Sequence, residues 1–415
     1  MKIFISAAEA SSDLHGSVLL TRLQEQAQRE GIDLQTFGVG GDCLRTVGHE
    51  IVVPASELLV MGFTEVLGRL FAIRRTQQKL IREIERRRPD ALVLMDYPSF
   101  HFNLVNRLRR SWGGALRCPV FYYIPPKVWA SRENRVTWLS RWVKKVYCLF
   151  PFEEAFLRTR GVNAVYFGNP LSDELPLSLS QSDARSQLGN EKFDPKGVSL
   201  VLMPGSRPSE IRRHFPILLD TVRSVRQKLH AERPGGWTLL IPLAETAEPG
   251  KWFERYRDHL DQLRSDGFEV ILLPGQSHLA MRAADAGLIK SGTSTLEAAV
   301  LGCPHVVFYQ VSALSAFFIR WILGYRGAVS LVNLFEGGPQ RSQNLVEELI
   351  LDRCRPAELS RALEAILSDE NGYRSRMIGE FDRLKQQVLG SGSLNGSPSD
   401  RIASDLLREI QSAGS

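Results

Sequence analysis

The sequence predicts an α/β fold of two Rossmann-like, doubly wound domains facing each other across a cleft. Three observations lead there. At 415 residues the chain exceeds one ordinary hydrophobic core, so two domains are the default. Short Val/Ile/Leu-rich runs recur without polar alternation, the pattern of strands covered on both faces. Helical stretches separate those runs, which implies βα units and parallel pairing.

The first set of apolar runs is Lys2–Ser6, Thr36–Val39, Ala91–Asp96, Val120–Ile124, Lys145–Phe150 and Val165–Gly168. The second is Ser199–Met203, Thr238–Pro242, Glu269–Leu273, Ala286–Lys290 and His305–Tyr309. Between them Leu171–Gly197 is polar and carries Pro176 and Pro195, with Pro170 just before it, the composition of a linker. The expected division is a domain over residues 1–175 and a second over 190–390. Gly390-Ser391-Gly392-Ser393 and Gly396-Ser397 then break the chain, and Ser397-Pro398 reads as an N-cap with proline in the first turn. Ile402, Leu406, Leu407 and Ile410 give that last helix an apolar face. Residues 391–415 are therefore expected to dock, on the first domain or on a second copy of the chain in a homodimer.

Composition excludes several classes. With 43% hydrophobic and 24% charged residues, a mainly disordered chain, a collagen and a small disulfide scaffold are ruled out. Lys plus Arg number 52 against 46 Asp plus Glu, a formal charge of +6. That mild excess suits an anionic partner without choosing among a phosphate, a nucleotide and an acidic membrane surface. Cys43, Cys118, Cys148, Cys303 and Cys354 are scattered, with no CxxC and no Cys/His cluster, so reduced thiols and no structural zinc are expected. Met1-Lys2 runs directly into the first apolar run, without a signal-peptide pattern. No apolar run reaches the roughly 20 residues that cross a bilayer. The expected location is cytoplasmic, with attachment to a membrane from one side left open.

Doubly wound sheets bind ligands beyond the carboxyl ends of their strands. The loops there carry the chemistry. In Ala7–Gly16 small residues let a ligand approach the backbone, and the following helix offers free N–H groups to an anion. Glu9, Asp13 and His15 add polar groups, although Ser12 or Asp13 serves equally as a helix cap. In Leu94–Asn103, Asp96 closes an apolar strand. A half-desolvated carboxylate has a raised pKa and suits a general base, a role worth ~10²–10⁴ in rate. Capping the next turn is its competing role, and His101 stays open between packing and chemistry. In Tyr122–Arg132, aromatic rings that include Trp129 interleave with Lys127 and Arg132. They can stack on a sugar and hold a phosphate, or simply pack a rigid proline loop.

Two later loops look like phosphate cradles. Met203–Glu210 places Gly205-Ser206 after a strand and Pro208 at a helix start, with Arg207 as a bidentate donor for phosphate oxygens. Lys290–Glu297 again runs from strand to helix. Ser291, Gly292, Thr293 and Ser294 can bind a diphosphate, and Glu297 can accept from ribose hydroxyls. Ser294-x-x-Glu297 also fits a capping box. Two such loops in one domain favour a nucleotide. No G-x-x-x-x-G-K-[ST], G-x-S-x-G or H-E-x-x-H occurs.

Several segments, in order and over nearly the whole chain, carry a closer likeness. They are Glu9–Asp13, Met61–Leu67, Asp96-Tyr97-Pro98, Pro126–Ala130, Phe150–Glu153, Gly168-Asn169-Pro170, Pro204–Arg207 and Ser291–Glu297. On these the chain resembles the lipid-A-disaccharide synthase family of GT-B glycosyltransferases. The resemblance implies an inverting transfer of 2,3-diacylglucosamine from UDP to the 6-hydroxyl of 2,3-diacylglucosamine 1-phosphate. The products are the β-1′,6-linked disaccharide 1-phosphate and UDP, with no metal, no cofactor and no nucleic acid involved. It implies Asp96 as base, with Glu9 and Ser11 at the sugar. It also implies Arg207, Ser206 and Thr293 at the UDP diphosphate, Glu297 at the ribose, and Asn333 as a further substrate contact. Ala8 and Ser12 stand where the family usually has glycine. Ser99 replaces a second carboxylate, with Asn103 displaced, and Val332 replaces a proline. Two alternatives stay open: another GT-B enzyme acting on UDP-N-acetylglucosamine, and, motivated by Ala8, Ser12 and Ser99, an inactive relative that binds nucleotide or lipid. Acylated substrates imply peripheral contact with the inner face of the cytoplasmic membrane. Val60–Ala72 and Ala316–Arg326 combine apolar and basic residues as such a contact requires, although core packing would use the same pattern.

Overall fold

The computed structural model describes residues 1–59, 66–126, 128–129, 134–243, 249–310, 329–338, 343–390 and 396–414. Of the two apolar stretches singled out for membrane contact, Ala316–Arg326 lies outside these residues, and so does 60–65 of Val60–Ala72. Lys127 and Arg132 lie outside them as well. The chain divides into two compact units, Met1–Asp173 with Leu389–Ser415, and Glu174–Val388.

In the first unit the elements run β1 (Lys2–Ala7), α1 (Ala10–Arg29), β2 (Gln35–Gly40), α2 (Asp42–Thr46), β3 (Glu50–Pro54), α3 (Ala55–Leu59), α4 (Val66–Arg87), β4 (Ala91–Met95), α5 (Pro98–Ser111), β5 (Val120–Tyr123), α6 (Asn134–Trp142), β6 (Lys145–Tyr147), α7 (Pro151–Arg158) and β7 (Ala164–Val165). The sheet is parallel, in the order β3-β2-β1-β4-β5-β6-β7. Successive strand residues face opposite sides, which is why every position in β1 from Ile3 onward is apolar or small and buried. Phe4, Leu92 and Leu94 pack with Phe100 and Leu104 of α5 on one face. Ile3, Ile5 and Val93 pack on the other with Leu19 and Leu23 of α1 and with Leu406 and Leu407.

Those last two residues belong to the terminal helix. Before it, the second unit runs α8 (Gln181–Leu188), β8 (Val198–Met203), α9 (Pro208–Leu229), β9 (Trp237–Leu243), α10 (Pro249–Ser265), β10 (Phe268–Pro274), α11 (Ser277–Ala283), β11 (Ala286–Lys290), α12 (Thr293–Val300), β12 (His305–Tyr309), α13 (Leu331–Gly337), β13 (Glu348–Ile350) and α14 (Pro356–Leu367), followed by α15 (Tyr373–Leu389) and the terminal α16 (Pro398–Gly414). Its sheet is also parallel, β10-β9-β8-β11-β12-β13. This repeats the strand order of the first unit, three strands leading out one way and the rest the other.

The stretch read as linker is partly folded. Ser180 accepts the Asp183 N–H at 3.1 Å, and the Asp183 carboxylate accepts the Ser180 N–H at 3.4 Å, a reciprocal box that starts α8. Arg185 then pairs with Asp285 at 2.8 Å, so these residues fold with the second unit. The terminal α16 packs on the first. A second box, Ser397 with Asp400, starts it. Asp405 accepts from Tyr147 Oη at 3.0 Å and pairs with Lys145 Nζ at 2.7 Å.

Candidate functional site

A doubly wound sheet opens where its strand order reverses. In the first unit that point lies between β1 and β4, where Ala7 pairs with Met95. Glu9 and Asp96 therefore leave neighbouring strand ends. In the second it lies between β8 and β11, where Met203 pairs with Ile289. Pro204-Gly205 and Lys290-Ser291 emerge there side by side.

Asp96 stands in a strained turn. Its φ is +49°, that of Tyr97 is +41° and that of Ile124 on the adjacent strand is +61°. For residues with a Cβ the left-handed region costs about 1–2 kcal/mol each. Such strain persists only where the surroundings impose it, and it gathers at functional sites. The Asp96 N–H donates to the Ile124 carbonyl at 3.2 Å. The Asp96 carbonyl accepts from Tyr122 Oη at 2.6 Å and His101 Nδ1 at 2.7 Å. Its carboxylate accepts the Tyr97 N–H at 2.8 Å and is half-buried.

His101 is fully buried, and burial pushes its pKa down to about 4, so the ring is neutral near pH 7. A carbonyl can only accept, so the one ring proton sits on Nδ1. Ser6 Oγ, 2.8 Å from Nε2, then donates to it. His101 is thus a packed residue that holds the Asp96 turn. Sequence reasoning missed Ser6 and Tyr122 in this role, because their partners are remote in the chain. It also missed Arg135, whose guanidinium reaches Ser99 Oγ at 3.2 Å and brings a cation to the same loop.

The other first-unit candidates divide. Glu9 is half-buried at the N-cap of α1, where its carbonyl accepts the Asp13 N–H at 2.9 Å. Ser11 is exposed on the first turn. Asp13 caps a different helix from its own: its carboxylate accepts from the N–H groups of Gly41 at 2.6 Å and Cys43 at 2.9 Å, at the start of α2. Trp129 is half-buried. Its indole N–H is committed to the buried Glu153 at 2.9 Å, and its ring meets Phe152 edge-on.

In the second unit the strand ends enclose a pocket of about 460 Å³. Gly205, Ser206, Gly292, Thr293 and Ser294 line it together with Lys290. Gly205 has φ +121°, and a Cβ there would lie 2.5 Å from Glu210 Oε2, so only glycine fits. Gly292 caps α12, and the first turn of a helix offers N–H groups to an anion. As in the first unit, a buried histidine ties the loop: His214 Nδ1 donates to the Pro204 carbonyl at 2.6 Å, and burial lowers its pKa.

Four expectations meet a different geometry. Arg207 does not line the pocket; its side chain is 79% exposed, with Nη1 3.9 Å from Glu210. Glu297 is paired with His278 of α11 at 3.5 Å, and the hydrogen bond raises the His278 pKa. Asn333 is fully buried and saturated. It donates to the Val346 carbonyl at 2.9 Å and Glu348 at 2.8 Å, and accepts the N–H groups of Leu345 and Val346 at 2.8 and 3.0 Å. Its amide fastens α13 to the approach of β13 and has no capacity left for a ligand. Ser291 is buried, with its hydroxyl turned to the Val329 carbonyl at 3.3 Å, so it supports the loop from behind.

The family model described as lipid-A-disaccharide synthetase matches residues 3–391. The chain belongs to the lipid-A-disaccharide synthetase family. A lipid-A-disaccharide synthase of Myxococcus xanthus is 35% identical over 365 residues, covering 88% of each chain. One of Pseudomonas aeruginosa is 34% identical over 395 residues, covering 95% of each. Membership makes the protein a glycosyltransferase of lipid A biosynthesis. Among solved structures, UDP-GlcNAc 2-epimerase of Neisseria meningitidis, bound to UDP-GlcNAc, aligns with a TM-score of 0.54 at 14% identity over 99% of each chain. MurG of Acinetobacter baumannii aligns at 0.54 with 13% identity, over 98% of this chain and 99% of that one. Likeness at these identities concerns the fold, which is the GT-B pairing of two Rossmann-like domains. Among the described residues no helix is long and apolar enough to cross a membrane.

Proposed function

We propose that the protein condenses UDP-2,3-diacylglucosamine with 2,3-diacylglucosamine 1-phosphate, with inversion at the anomeric carbon. The acceptor 6-hydroxyl oxygen forms the new bond to that carbon, the bond to the UDP β-phosphate oxygen breaks, and the hydroxyl proton passes to Asp96. Glu9 and Ser11 line the sugar beside that base, and Trp129 offers its ring as a platform. UDP occupies the second-unit pocket, with its diphosphate on Gly205, Ser206, Gly292, Thr293 and Ser294. Arg207 swings in from the rim, and Glu297 receives the ribose hydroxyls. Backbone N–H groups at the start of α12 take up the charge that develops on the leaving diphosphate. Contact with an anionic membrane surface on the cytoplasmic side delivers both acylated sugars.

The observation that supports this most strongly is the family match, which runs across both units from residue 3 to 391. Purified protein, given the acylated donor and acceptor and read by mass, is expected to yield the tetraacyl disaccharide 1-phosphate and UDP. It should leave unacylated UDP-N-acetylglucosamine unchanged. Conversion of the unacylated nucleotide in place of the acylated pair would replace this reading with an epimerase-like one. UDP binding without turnover of either would identify an inactive relative.

A further inference from the structure

A cation strengthens the grip of backbone N–H groups on a diphosphate, and Arg207, the residue the sequence offers, stands at the surface. The pocket wall carries another. Lys290 is the last residue of β11 and lines the pocket with Ser206 and Thr293. Its Nζ lies 3.2 Å from Glu210 Oε1 and 5.4 Å from the centroid of the Tyr309 ring, with the side chain 23% exposed. A Cβ built on Gly292 would come within 3.8 Å of that Nζ, so the ammonium sits at the capped start of α12.

A cation is out of place there. The start of a helix carries partial positive charge and favours an anion. Glu210 compensates only in part. It is buried, and its second oxygen, Oε2, lacks a hydrogen-bond partner among the described residues. Oε2 points towards the Gly205 backbone, where no side chain fits. An ammonium, the N-terminus of α12 and a hydroxyl-lined loop therefore converge on one small space, with a single buried carboxylate between them. A diphosphate entering that space would meet three donors of the right sign.

We propose that Lys290, held ready by Glu210 in the pocket wall, is a further cation beside Arg207 that grips the diphosphate of the sugar nucleotide and balances its charge as it leaves. This deepens the nucleotide reading of the pocket and rests on it. Glu210 is a positioning residue: it keeps the lysine extended along the wall instead of out in solvent. Binding requires a short rotation of Nζ from the carboxylate to a phosphate oxygen, with no proton transferred.

The test is calorimetric titration of UDP, UMP and uridine into the wild type and into Lys290→Met, Lys290→Arg and Lys290→Met/Glu210→Gln. The double variant keeps the pocket neutral and guards against misfolding of the single one. A charge-assisted hydrogen bond predicts a loss of about 10- to 100-fold in UDP affinity for Lys290→Met and the double variant. Uridine affinity should stay unchanged, and Lys290→Arg should recover most of the loss. The kcat should fall alongside UDP affinity. Equal UDP affinity in wild type and double variant would overturn the proposal, as would equal losses for UDP and uridine. A wild type that binds no UDP would instead overturn the nucleotide reading, and the proposal with it.

Discussion

Removing the His101 imidazole should loosen the proposed base without touching it. Asp96 and Tyr97 hold left-handed backbones worth about 2–4 kcal/mol of strain between them. One of the two side-chain ties on the Asp96 carbonyl comes from His101 Nδ1. His101→Ala deletes that tie, strands the buried Ser6 hydroxyl, worth about 1–3 kcal/mol, and leaves a ring-sized cavity at a cost of about 3 kcal/mol. The expected loss of stability is about 4–6 kcal/mol by these sums, less whatever strain the freed turn releases. If the turn relaxes by about 1 Å, the displaced carboxylate costs about 100-fold in kcat. His101→Asn offers an N–H near the Nδ1 position and should recover much of that turnover while remaining less stable than wild type. Denaturant unfolding and steady-state kinetics on both variants decide the matter. A folded His101→Ala with wild-type kcat would refute the positioning role, whatever its stability.

Other outcomes follow from the same geometry. Asn333→Ala should cost about 3 kcal/mol or more in urea unfolding, because four buried hydrogen bonds are lost and Glu348 loses a donor; unchanged stability would contradict this structural role. Asp405→Ala leaves the buried Tyr147 hydroxyl without its partner and Lys145 with Glu409 alone, and should lower stability by about 1–3 kcal/mol, read by melting of the whole chain. His278 has a folded pKa raised above its unfolded value by the Glu297 hydrogen bond. The stability it contributes is fully present below the unfolded value and disappears as pH rises through the folded one. The deficit of His278→Gln should therefore be larger at about pH 5.5 than at about pH 8.5, and stay under about 1 kcal/mol for a partly exposed pair. An opposite trend would break the assigned pairing.

Much of the fold was legible because buried parallel strands are apolar throughout. Residues such as Ala286–Lys290 and His305–Tyr309 appear as strands with the same ends in sequence and structure. The strand Glu50–Pro54 escaped because it is a short edge strand that opens on Glu and closes on Pro. Glu348–Ile350 escaped because three residues carry no periodicity. The helix Gln181–Leu188 was hidden in a proline-flanked polar stretch, although its Ser180-x-x-Asp183 box was there to be read. Candidate residues at strand ends, such as Asp96 and Gly205, follow from one strand and the loop behind it. Their supports could not. Ser6, His101 and Tyr122 meet only when three neighbouring elements close around one carbonyl. Asn333 and Arg207 carry the right chemistry by residue type, but burial saturates the first and leaves the second outside the pocket.

The central claim is that the Asp96 carboxylate takes the proton of the attacking hydroxyl. Asp96→Asn keeps the size and the backbone ties of this residue and removes only its basicity. Turnover of the acylated donor and acceptor, measured beside UDP affinity in the same preparation, should fall by at least about 100-fold while UDP binds as in the wild type. An Asp96→Asn variant that still makes the disaccharide at the wild-type rate would contradict the account at its root.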